Sequence, residues 1–100
     1  MIAACLGGIS EAKFAEQKFQ QALDYAIQSH QVYLKNYEKQ SLEIGRSDFY
    51  LAKIYFSLKN YQEALQCVNS SLEVMEKSLG QKSPEIKNAK EFKQQIIAKI

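Results

Sequence analysis

Phe19-Gln20-Gln21-Ala22-Leu23 and Tyr61-Gln62-Glu63-Ala64-Leu65 are the same phrase written twice, 42 residues apart. The same shift lays Ser29 on Ser71, Val32 on Val74 and Lys35 on Lys77. It also lays Ser41-Leu42-Glu43-Ile44 on Ser83-Pro84-Glu85-Ile86. Nine of the 26 positions from Phe19 to Ile44 are then identical in one gapless register. Self-similarity at a fixed period of this size marks a chain built from stacked supersecondary units.

Each unit reads as two helices. In the second unit the first helix spans about residues 42–58, Lys59-Asn60 makes the turn, and the partner helix spans about residues 61–79. Tyr61, Ala64, Leu65, Val68, Leu72, Met75 and Leu79 recur at three- and four-residue steps, an apolar stripe on one helix face. Gly80 follows where a left-handed C-cap is commonest. Ser83-Pro84-Glu85 then supplies a capping oxygen, a proline at the first helical position and a carboxylate beside the positive helix end. A third unit starts there and continues through Ile86, Ala89, Phe92, Ile96, Ile97 and Ile100. The first unit has its second helix from Phe19 to about Tyr37. Its first helix is less regular: Gly7-Gly8 interrupts it, at about 1 kcal/mol per glycine. Matching residues 1–14 to the second unit calls for about three extra residues.

Composition points the same way. Of the 100 residues, 46% are hydrophobic and 24% charged, with one proline, four glycines and no threonine. That mixture suits helices and disfavours a β-sandwich or barrel. No run approaches the roughly 18–20 apolar residues of a membrane span, and Met1 to Leu6 lacks the basic start of a signal peptide. Two cysteines, Cys5 and Cys67, are too few for a disulfide framework and suit a reducing, cytoplasmic setting. Net charge is +2, with five basic and six acidic side chains in residues 1–50 against eight and five in residues 51–100. The excess lies in scattered lysines, and Arg46 is the only arginine, so a phosphate-binding stripe is disfavoured.

The second unit resembles the tetratricopeptide repeat. The pattern of a large residue, then Leu-small, then Tyr, falls on Asp48-x2-Leu51-Ala52-x2-Tyr55, and Ala-x3-aromatic falls on Ala64-x3-Val68. Asp48 stands where tryptophan is usual and Val68 where an aromatic is usual. The long period, with Leu79-Gly80-x2-Ser83-Pro84 at the joint, is similar to the repeats of kinesin light chains. The resemblance implies an all-α solenoid of antiparallel helix pairs, about two and a half repeats long. Residues 1–100 then form one domain: repeat 1 at about 2–40, repeat 2 at about 41–82, and a half-repeat or capping helix at 83–100.

Chemistry-bearing residues are sparse. His30 lies opposite Leu72 under the 42-residue shift, beside the apolar stripe, and reads as a hydrogen-bonded, half-buried histidine. Neither cysteine has a ligand cluster of zinc spacing, and Gly7-Gly8 lacks the lysine of a phosphate loop. No catalytic residue, metal or cofactor is expected. The resemblance instead implies ligand contact on the wall made by each unit's first helix. That wall carries Arg46, Phe49, Lys53, Phe56 and Ser57 in the second unit and Asn88, Glu91, Gln95 and Lys99 in the third. Two aromatic anchors with flanking cations suit a peptide bearing acidic and apolar side chains; the alternative is that Phe49 and Phe56 only pack on neighbouring first helices. A second candidate surface is the last helix, whose Phe92, Ile96, Ile97 and Ile100 have no following helix to cover them: it folds back as the terminal cap of its own stack, docks end-on on another protein, or continues the stack of a neighbouring subunit. The expected function is a protein-binding adaptor or scaffold subunit, transport- or cytoskeleton-associated by family resemblance. An accessory subunit of an enzyme complex is the runner-up, and an RNA-contacting repeat comes third.

Overall fold

The computed structural model describes residues 2–36, 42–80 and 83–100. Among them the chain forms five helices and no strand: α1 (Ile2–Ala15), α2 (Phe19–Asn36), α3 (Leu42–Ser57), α4 (Tyr61–Leu79) and α5 (Pro84–Lys99). Each helix packs on the next in chain order. Tyr37, the expected end of the second helix, and the repeat boundaries near residues 40–41 and 82 lie outside the described residues.

The repeat is visible in the backbone. Gln17 and Lys59, 42 positions apart, both take positive φ, 64° and 65°. Around each, the same two bonds close the helix: Gln17 N to Phe14 O and Lys18 N to Lys13 O, then Lys59 N to Phe56 O and Asn60 N to Tyr55 O. This is the paired-bond Schellman ending. The strict register therefore reaches into α1 with no extra residues, which corrects the insertion expected from sequence. It places Ser10 at the position of Ala52. Both are fully buried, against the equally buried Ala22 and Ala64. Ser10 Oγ donates to Ala22 O at 2.7 Å, so a hydroxyl fits the tight crossing because it is bonded. The glycine cost in α1 is offset by its packing on α2, since most helical stability in proteins is tertiary.

Two apolar clusters fill the stack. Ala22, Leu23 and Ala26 of α2 meet Leu51 and Ile54 of α3. Ala64, Val68, Leu72 and Met75 of α4 meet Ala52 of α3 and Ile86, Ala89 and Ile96 of α5. The α3/α4 crossing is closest at Gly45, where a Cβ would lie 3.0 Å from Val74 Cγ1. There Ser71 Oγ donates to Gly45 O at 2.7 Å.

The α4–α5 joint follows the expected grammar at one end and departs from it at the other. Ser83 caps α5 by accepting from Glu85 N at 3.3 Å, with Pro84 in the first turn. Gly80 has the expected positive φ of 78°, but its ψ of 163° is extended and not left-handed helical. Only glycine enters that region readily, because it has no Cβ to clash with the backbone.

Candidate groove and polar joint

The nine groove candidates divide. Arg46, Phe49, Lys53 and Phe56 lie along α3 in a row that looks toward α5. Phe49 meets Phe92 edge-on at 5.7 Å between centroids. Phe56 lies 5.3 Å from the same ring and 5.4 Å from Tyr61. Both proposed anchors are therefore half-buried in packing between successive first helices, the alternative weighed from sequence. Lys53 Nζ sits 4.8 Å over the Phe49 ring. Arg46 makes a forked pair with Glu85, Nη2 to Oε1 at 2.8 Å and Nε to Oε2 at 3.1 Å. Glu85 holds the Arg46 guanidinium above its usual range, and Arg46 draws the carboxyl below its own. Ser57 is half-buried, whereas Asn88, Glu91, Gln95 and Lys99 are exposed on α5.

The proposed end-on surface is partly dismantled. Ile96 is fully buried in the cluster with α4, so it is not presented to solvent. Phe92 is half-buried between Phe49 and Phe56. The reason is helical phase: Ile86, Ala89 and Ile96 share the side of α5 that lies on α4. Only Ile97, 45% exposed, and Ile100, 61% exposed, remain outward.

His30 is hydrogen-bonded and half-buried as expected, but sequence reasoning missed its partners across the joint between α2 and α3. His30 Nδ1 lies 2.8 Å from Ser47 Oγ, and His30 Nε2 lies 3.4 Å from Asp48 Oδ1. Burial lowers His30 below 6.5 and raises Asp48 to about 6. With its proton on Nε2 the neutral ring accepts from Ser47 at Nδ1, and its Nε2 edge lies beside the Asp48 carboxylate. Serine, histidine and carboxylate in contact resemble an acyl-transfer triad in composition. Ser47, however, lies inside α3, where backbone N–H groups are engaged in the helix ladder and cannot form an oxyanion pocket. Cys67, half-buried near Asp48, has its thiol pushed up to about 11 by burial first and the nearby carboxylates second, which keeps it protonated and unreactive.

A further recess of about 300 Å³ opens where α1, α2 and α3 meet. It is lined by Gly7, Glu11, Ser29, Tyr33, Glu43, Arg46, Ser47 and Tyr50. Tyr50 Oη is 3.2 Å from Ser10 Oγ. Among the described residues no group of three or more His, Cys, Asp or Glu could hold a metal, and no helix is long and apolar enough to cross a membrane.

The family model described as tetratricopeptide repeat matches residues 2–77. No curated protein matches the chain.

Proposed function

Since the chain belongs to the tetratricopeptide repeat family, whose units generally serve as non-catalytic protein-interaction modules, we propose that it is a small adaptor or scaffold subunit. It holds a peptide or helix of a partner along the wall made by α3 and α5. The observation that carries this reading is the row Arg46, Phe49 and Lys53, which sets two cations beside a partly open aromatic cluster on one wall. An acidic side chain of the ligand would replace Glu85 on Arg46 or meet Lys53, and an apolar one would cover the ring edges of Phe49 and Phe56. The rings supply edges, not deep pockets, so binding is of modest strength and depends on several contacts together. Exposed Asn88, Glu91 and Gln95 would line the far side and bond peptide backbone or polar side chains. The 42-residue period and the Leu79-Gly80 to Ser83-Pro84 joint support a likeness to kinesin light chain repeats. An unreactive Cys67 suits a reducing cytoplasm.

Selection from a displayed library of random short peptides tests the groove. Selected sequences should pair Asp or Glu with Leu or Phe and bind more weakly as salt rises. Their affinity should fall about tenfold in Lys53→Glu, one charge-pair's worth in a partly desolvated site. Selected peptides without acidic residues, or equal binding by Lys53→Glu, would sink the reading.

A further inference from the structure

The internal repeat shows what belongs on a surface that nothing in the described structure covers. In α3, Leu51 and Ile54 are 6% and 0% exposed because they lie on α2. One repeat later, Ile96 has the position of Ile54 and is fully buried on α4. Twice, then, the position of Ile54 on a first helix is covered by a second-type helix, while that of Leu51 holds half-buried Lys93 in α5. One repeat earlier the same positions are Ile9 and Ala12 of α1, and both are exposed, Ile9 at 41%. In sequence the register carries the stripe back to Cys5 and Ile2, and no charged residue occurs from Ile2 to Ser10. An uncharged helical stretch of this kind is commonly covered on more than one side, and Glu11 and Lys13 follow it in the same helix.

We propose that the outer face of α1 docks one amphipathic helix of a partner protein. Its chemistry is given by the two internal examples. Leu23 and Ala26 of α2, at i and i+3, share an apolar cluster with α3, and Leu65, Val68 and Leu72 of α4, at i, i+3 and i+7, belong to or pack on the cluster shared with α5. A second copy of this chain is a poor occupant, because the matching face of its α4 is already taken by α5. A complete helix pair is also a poor occupant. Its first helix would need a ring to meet, as Phe14 meets Tyr50 and Phe56 meets Phe92, but α1 has Gly8 at that register position. The opposite end offers no such surface. The α5 positions equivalent to Gly45 and Ala52, which α4 covers, hold exposed Lys87 and Gln94.

A fluorescent peptide of residues 61–79, carrying the α4 stripe, is the probe, titrated with the intact chain. Saturable binding in the micromolar range is expected. It should weaken tenfold or more in Ile9→Asp and in Ala12→Arg, two exposed sites whose variants should retain the wild-type helical spectrum. Ile97→Asp should bind like wild type. No saturable binding, or unchanged binding in both α1 variants, overturns the proposal. A chain that sediments as a dimer and is returned to monomer by Ile9→Asp also overturns it, since the occupant would then be a second copy. Lys53→Glu, which tests the groove, should leave this binding unchanged, so the two readings fail separately.

Discussion

Asp48 and His30 each depart from the repeat pattern, and the structure shows that the two departures answer each other. Asp48 stands where the family has tryptophan, and His30 stands opposite Leu72; in the fold they lie side by side, His30 Nε2 3.4 Å from Asp48 Oδ1. Their titrations oppose. The folded state binds a proton on His30 less readily than the unfolded chain, so acidification below about pH 6.5 destabilises through His30. It binds a proton on Asp48 more readily, so acidification from about pH 6 to 3.8 stabilises through Asp48. Asp48→Asn removes the cost of burying the carboxylate and keeps nearly the same shape. It should stabilise the protein at pH 8 by roughly 2–3 kcal/mol, from about two units at 1.36 kcal/mol each. That gain should shrink to nothing by about pH 4, exposing an uncompensated loss below pH 6.5 from His30. Urea midpoints across this range measure both effects, and a variant less stable than wild type at pH 8 would show that the carboxylate is net favourable. Gly80 gives a simpler case. Among the described residues no atom beyond the chain neighbours stands within 4 Å of a Cβ added there, so Gly80→Ala costs mainly backbone strain, about 1–3 kcal/mol, read as a lowered urea midpoint.

At the scale of elements, an aromatic triplet repeats with the backbone. Phe14, Phe19 and Tyr50 occupy the same register as Phe56, Tyr61 and Phe92. Phe14 meets Phe19 at 5.2 Å and Tyr50 at 6.3 Å; Phe56 meets Tyr61 at 5.4 Å and Phe92 at 5.3 Å. Each triplet ties a first helix to its partner and to the next first helix. A double-mutant cycle of Phe56→Leu and Phe92→Leu should return a coupling of about 0.5–1.5 kcal/mol; a value near zero would mean the rings are neighbours without mutual stabilisation. Much of the helical layout was legible in advance, because the stripe from Tyr61 to Leu79 and the Ser83-Pro84-Glu85 cap are local signals. The triplet was legible too, had the 42-residue shift been carried outward to positions 14 and 50. What sequence could not show was phase. Ile96 and Ile97 are adjacent and equally apolar, yet 100° of helical rotation puts one in the core and leaves the other in water. The His30–Asp48 contact, between residues 18 apart on different helices, carries no sequence signal beyond two departures from pattern.

For the whole molecule, each helix leans mainly on its chain neighbours, with no central core shared by all five. Stability in such a stack is close to a sum of neighbour interfaces, so removing a terminal helix strips one interface and bares the next. Loss of α5 removes three fully buried side chains, Ile86, Ala89 and Ile96, and uncovers Val68 and Leu72 of α4. The two isoleucines alone are worth about 1.5–3 kcal/mol each, and Phe92 adds its share against Phe49 and Phe56. A chain of this length is stable by roughly 5–15 kcal/mol in total. A fragment of residues 1–82 is therefore expected to lose cooperative unfolding, bind a hydrophobic dye and keep only part of the helical signal. Arg46→Ala should do much less, because an exposed forked pair with Glu85 contributes no more than about 1 kcal/mol. Circular dichroism melts of the two proteins separate burial from charge as the force that holds α5 in place. If the fragment melted as sharply as the intact chain while Arg46→Ala did not, the ion pair and not the apolar face would be fastening the last helix.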